Sequence, residues 1–178
     1  MKLRPAPRRL LLAVHLICSV GWIGAVCAYL VLAFAVLTSA NRETMRAAWV
    51  GMNLIGWYAL VPLAILSLLT GVLLALTSRW GLLRHYWVVI SLVGTAALTA
   101  VLVLHMPDVA RQAEMARRAN PAHLETMGSD IPHALTGLVL LVGILVINIY
   151  KPRGLTRYGW RRERAARTPT ATRANPMM

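Results

Sequence analysis

Charged side chains leave four long gaps in the chain. Leu10 to Asn41, Ala47 to Ser78, Tyr86 to Pro107 and Ile131 to Tyr150 contain no Asp, Glu, Lys or Arg. Each is at least as long as the ~20 residues a helix needs to cross a hydrocarbon core. None alternates polar and apolar positions as a barrel strand would, and unpaired backbone groups cannot face lipid, so the pattern predicts helices. The expected fold is all-α, a polytopic bundle of four transmembrane helices with spans at about 10–38, 47–77, 86–106 and 132–150. Residues 1–9 and 151–178 read as basic tails and 107–131 as a loop between the last two spans. Pro62 predicts a kink in the second span, because it lacks an N–H and crowds the preceding turn. Pro107 predicts the end of the third span, Asp108 to Ala119 a short surface helix supported by Glu114 and Arg118, and Ser129-Asp130 before Pro132 an N-cap for the fourth.

The basic start, Met1 to Arg9, resembles the head of a signal peptide. The apolar run behind it continues well past the ~7–15 residues of a signal-peptide core, so a retained anchor is expected. Charge then sets orientation. Fourteen Lys and Arg fall in the two tails and the 79–84 loop, and five (Arg42, Arg46, Arg111, Arg117, Arg118) fall on the other side. By the positive-inside rule both termini are cytoplasmic and the loops at 42–46 and 108–130 face outward. The net charge of +13 therefore lies inside and serves topology, and no nucleic-acid partner is expected. The tail from Arg161 to Met178 reads as solvated and disordered toward its end. A composition of 58% apolar and 14% charged residues excludes an ordinary soluble domain.

No Asp, Glu or Lys lies well inside a span, which weighs against a buried carboxylate relay or paired-carboxylate catalysis. Nothing resembles a glycine-rich phosphate loop or a zinc-protease helix. Histidine remains. His105 closes the third span and His133 opens the fourth, so an antiparallel pair puts both at similar depth. Turning about 100° per residue, His105 lies within roughly 40° of Ser91 on the Ser91/Thr95/Thr99 stripe, and His133 shares a side with Gly137 and Leu140. Two facing imidazoles suit the axial positions of a haem b, and equally copper, with Met106 and other methionines near that end as soft ligands. Two interfacial histidines bonded to backbone or water are the alternative. His15 lies near the inner end of the first span with Cys18, Ser19, Trp22 and Tyr29 on nearby faces, and a polar group there should face protein. His85, at the inner surface, could join His15 in a second haem site. Cys18 and Cys27 stand nine residues apart on one helix, about 13 Å, too far for a disulfide. Small residues, including Gly21, Gly24, Gly51, Gly56, Gly94, Gly137 and Gly143, allow close helix packing in lipid.

The stretches His15–Gly24 (HLICSVGWIG), Trp80–Trp87 (WGLLRHYW) and Tyr150–Tyr158 (YKPRGLTRY) resemble those of an uncharacterised bacterial family of small four-span membrane proteins, over most of residues 10–160. That family is in turn reminiscent of the CopD-type copper-resistance membrane proteins, which share a first-helix His followed by a Trp-x-Gly element. The resemblance implies a multi-pass protein of the bacterial inner membrane, with His15 and Trp22 as matching positions. Three functional expectations stand side by side. The first is haem b binding for electron transfer or redox sensing at His105 and His133, and the second is copper handling at the outer His and Met residues. The third is a non-catalytic scaffold that touches membrane lipids and assembles with itself or a membrane-protein partner.

Overall fold

A computed structural model describes residues 5–77, 82–118, 127–152 and 154–167. Its elements are α1 (Pro5–Thr38), α2 (Arg42–Ile55), a π-helical turn (Gly56–Leu60), α3 (Val61–Thr77), α4 (Tyr86–Arg118), α5 (Ile131–Tyr150) and α6 (Arg157–Arg167). α2, the π-turn and α3 run on as one helix of 36 residues, so four helices are long and apolar enough to cross a membrane. The protein is an all-α four-helix bundle. α1 packs on α2, α3 and α5, and α4 packs on the same three, which puts α1 and α4 at opposite corners.

The bundle is apolar outside and sparsely polar inside. Large hydrophobic side chains such as Ile17, Val31, Leu104, Val139 and Ile149 stand exposed on its surface, while Ser67, Thr70 and Thr99 are buried. Lipid tails are as apolar as leucine, so such a surface costs nothing in a bilayer and would be untenable in water. At ~1.5 Å per residue the first three membrane helices are roughly 50 Å long, well beyond a ~30 Å hydrocarbon core. The excess lies at the end opposite the termini, the loop end, where α2 and the last third of α4 pair through Ala48, Trp49, Met52, Val109, Ala113 and Ala116. Asn41 starts α2 by accepting the Glu43 N–H at 2.9 Å, the local capping expected of an Asn between two helices.

The two prolines act differently. At Pro62 the second membrane helix runs on, and the ladder before it widens into the π-turn, with the Val61 N–H reaching the Gly56 carbonyl. That extra residue gives the proline ring room beside the carbonyl one turn back, and π-turns of this kind are where helices bend. Pro107, against expectation, does not end the third membrane helix, since α4 continues through it to Arg118. The expected surface helix is the continuation of α4, held by burial of Val109, Ala113 and Ala116 against α2, which offsets the ~3 kcal/mol that a helix-interior proline costs. On its exposed face Arg118 donates to Glu114 at 2.5 Å, and the Arg111 guanidinium, bonded to Asp108, holds that carboxyl below its usual range.

Described parts of the tail up to Arg167 are tied to the loop before α4. Thr156 bonds the Leu83 and Arg84 carbonyls, with its N–H at 3.0 Å from the Arg84 oxygen, and His85 pairs with Leu155 in a single β-bridge. These bonds fold the chain back under the bundle before α6 begins. Trp80, His123, Glu125 and the expected disorder beyond Arg167 lie outside the described residues.

The close packing expected at the glycines is met at some positions and not at others: a Cβ on Gly51 or Gly94 would stand 3.0 Å from Leu32 or Ile144. A Cβ on Gly24 or Gly137 would meet nothing within 4 Å, so neither mediates a close helix approach. Gly56 does: a Cβ there would lie 2.2 Å from Met106 Cε and 2.6 Å from its Sδ. Met106 thus fills a notch that the π-turn leaves open. Gly56→Leu should destabilise the bundle by about 1–3 kcal/mol in equilibrium unfolding from mixed micelles, by overpacking. Adding Met106→Ala should recover most of that loss, and a loss unchanged by the second substitution would mean that the notch is not what the leucine disturbs.

Candidate functional site

At the loop end three helices meet on one carboxylate. Asp130, the residue before α5, uses its side chain for tertiary contacts: Oδ2 accepts the Tyr29 hydroxyl of α1, and Oδ1 accepts His105 Nε2 of α4 at 2.8 Å. The N-cap role expected of Asp130 is left in part to Ser129, whose Oγ accepts the Ile131 N–H at 3.2 Å. The His133 ring stacks on that of His105, with centroids 3.9 Å apart and planes 20° from parallel. Sequence reasoning brought these two histidines to one depth and one face, and the structure brings them together. Asp130 and Tyr29 as their partners were missed. The available signal was a carboxylate at the first turn of a membrane helix, which has to find donors in the protein.

These four side chains form the polar end of a cavity of about 400 Å³ that is otherwise lined mostly by apolar groups, including Trp22, Val26, Leu60, Leu102 and Leu140. The chemistry of that end follows from the bonds. Since a carboxylate only accepts, His105 must present Nε2–H to Asp130, and in the neutral ring this leaves Nδ1 as the lone-pair acceptor. His105 and Asp130 are partly buried, with side-chain exposures of 23% and 11%, so the pair is shielded yet reachable from the cavity.

This arrangement can be tested against the expected cofactors. A haem iron takes opposed lone pairs along one axis, whereas these rings present their faces to each other, and His105 Nε2 is already committed to Asp130. Nδ1 sits next to the side-chain stem, where a flat macrocycle cannot approach. The residues as they stand do not fit a bis-histidine haem. Met106 is buried with its thioether against Gly56, although it also lines the cavity. Among the described residues no three His, Cys, Asp or Glu side chains converge on a metal position.

At the other end, where α1 begins and α5 ends, His15 donates Nδ1–H to the Ser67 carbonyl at 3.1 Å and the Thr70 hydroxyl oxygen at 3.0 Å, while Ser19 and Ser67 bond each other at 2.8 Å. Thr70 directs its own hydroxyl to the Leu66 carbonyl at 2.6 Å, which leaves its oxygen to accept from His15. Gly71 makes room for the ring, for a Cβ there would stand 3.1 Å from His15 Cε1. Asn148 of α5 donates to Ser91 of α4 at 2.9 Å, a pairing sequence reasoning missed although Asn148 is the lone Asn in an apolar run. A second cavity, about 430 Å³, is lined by His15, Ser19, Ser67, Ser91 and Asn148 among other residues. His85 is not among them; its ring lies 6.4 Å from Trp87 in the segment bridged to Leu155. His15 and His85 are thus in separate surroundings. Cys18 is buried and Cys27 exposed. Trp22 is a core residue, and with Leu141 it lines both cavities.

If the Asp130 carboxylate ties α1, α4 and α5 together, Asp130→Ala should lower stability by about 1–3 kcal/mol, because two buried donors lose their acceptor. Tyr29→Phe should cost less, and its effect should largely vanish in the Asp130→Ala background. Additive losses in that double-mutant cycle would show that the Tyr29 contact contributes independently of the carboxylate.

In comparisons with known proteins, no family model, no curated protein and no solved structure matches this chain.

Proposed function

We propose that this multi-pass membrane protein binds a membrane-soluble ligand of the quinone or quinol class at the loop-end cavity, with both termini in the cytoplasm and the cavity toward the outer surface. One observation carries the reading: a carboxylate–imidazole pair closes an apolar cavity between membrane helices. A ligand taken from the bilayer needs an apolar body to fill such a space and a few oxygen functions to meet the polar end. Asp130 fixes the tautomer of His105, so that Nδ1 accepts a hydroxyl of the ligand. The stacked His133 supplies a second imidazole for a ring oxygen. The role is recognition and proton acceptance at a ligand hydroxyl. Charge asymmetry between the two ends supports the orientation, since basic residues concentrate at the tail end.

A second reading, copper handling, is favoured by the same hydrogen bond. Histidines that ligate metals commonly donate their other ring N–H to a carboxylate, which is the relation of His105 to Asp130. His105 Nδ1 and a nitrogen of His133 would be the protein ligands, imidazoles being suited to copper, once the His133 ring turns out of the stack so that both lone pairs meet one ion.

Titration of the purified protein with a decyl-substituted benzoquinol, the reduced form that carries the hydroxyls, followed by tryptophan quenching, separates the two. Saturable binding weakened at least tenfold by Asp130→Asn and by His105→Ala, about 1.4 kcal/mol or more, is the expected result. Binding unchanged in both variants would sink the quinone reading. A flat quinol titration with one Cu(I) bound per chain, lost in His133→Ala, would put copper in its place. A Soret band in the purified sample would return the histidines to haem.

A further inference from the structure

The tail-end cavity has a different chemistry from the loop-end one, and the proposed function makes no use of it. Two cations line it, Arg8 from the first turns of α1 and Lys151 from the end of α5, and no acidic side chain is among its lining residues. Its polar wall groups are already engaged with one another: His15 with Thr70, Ser19 with Ser67 and Asn148 with Ser91. What it offers a ligand is therefore an apolar wall, rich in leucine, with positive charge supplied from the membrane-surface end. A soluble metabolite would find too few free partners inside, whereas an amphiphile needs only the cations for its head and the wall for its chain.

Lys151 is held there by the backbone. It adopts a left-handed conformation, φ 45°, the one positive-φ non-glycine among the described residues, and caps α5 by returning its N–H to the Ile147 carbonyl. Pro152 follows, which disfavours further helix and turns the chain at this point. The basic helix α6 follows with exposed Tyr158 and Trp160, the aromatic and cationic composition of a helix lying at a membrane surface.

We propose that the tail-end cavity is a specific site for an anionic phospholipid, its headgroup phosphate paired with Arg8 and Lys151 and one acyl chain inserted between α1, α3, α4 and α5 toward Trp22. Cationic pockets between membrane helices take anionic headgroups in this way, and each surface cation adds to the attraction.

Native mass spectrometry of the full chain, released from neutral detergent with added phosphatidylglycerol or phosphatidylethanolamine, tests this. One phosphatidylglycerol should be retained in preference to phosphatidylethanolamine, and Arg8→Gln and Lys151→Gln should each reduce that retention about fivefold. Arg161→Gln, on α6 and outside the cavity lining, should leave it unchanged. Thr95→Phe, which fills the cavity without altering charge, should abolish it. Equal loss in Arg161→Gln would reduce the effect to general surface attraction and overturn the proposal, as would full retention in Thr95→Phe. Competition by millimolar glycerol 3-phosphate would also overturn it, because the site would then recognise a soluble anion rather than a lipid.

Discussion

A polar side chain inside a bilayer has no water to turn to, so it must be paired within the protein, and that requirement specifies how these helices meet. Apolar contacts alone could not do so, because a leucine is as content against lipid as against another helix. The few polar groups bridge particular helices instead. Asp130 joins α5 to α1 and α4 through Tyr29 and His105. His15 and Ser19 join α1 to α3, and Asn148 joins α5 to α4. Each bridge fixes the rotation of a helix about its axis as well as its neighbour, since a turn of a few tens of degrees would expose an unpaired donor to lipid. Small apolar contacts then refine the fit, as where Met106 enters the notch at Gly56.

The same requirement explains why the candidate sites lie where they do. Bridges fall on either side of Trp22 and Leu141, which line the cavity above and the cavity below. Both halves of the bundle therefore share walls with an accessible space while keeping an apolar layer between them. The carboxylate at Asp130 is tolerated because two donors meet it at once, and a charged group so held is a better orienting partner for His105 than a neutral amide would be.

Much of this architecture could be read from the chain. Four charge-free runs match the number of membrane helices, and periodicity put His105 and His133 at one depth on inward-facing sides, while their convergence depended on helix rotations that packing sets. The partners that give those histidines their chemistry were harder to see, because Asp130 reads locally as a helix cap and Tyr29 as one more aromatic in an apolar run. Nothing in a one-dimensional pattern reports that three helices converge on one side chain. Pro107 failed for a related reason. Local rules place a stop there, but burial of Val109, Ala113 and Ala116 against α2 overrides it. Gly24 and Gly137 show the limit of composition, for a small residue permits close approach without bringing a neighbour there.

Trp22 bears on how the two ends could communicate. Its indole is 3% exposed and forms part of both cavity walls, so its position cannot change on one side without altering the space on the other. A ligand that moves it from the loop end would reshape the wall met by an acyl chain at the tail end. Any coupling of this kind is a free energy shared between the two sites, and it must act with equal strength in both directions. Leu141 lines the same two walls from α5, the helix that Asp130 anchors to α1 and α4, so the clamp at the loop end also sets how much freedom this partition has.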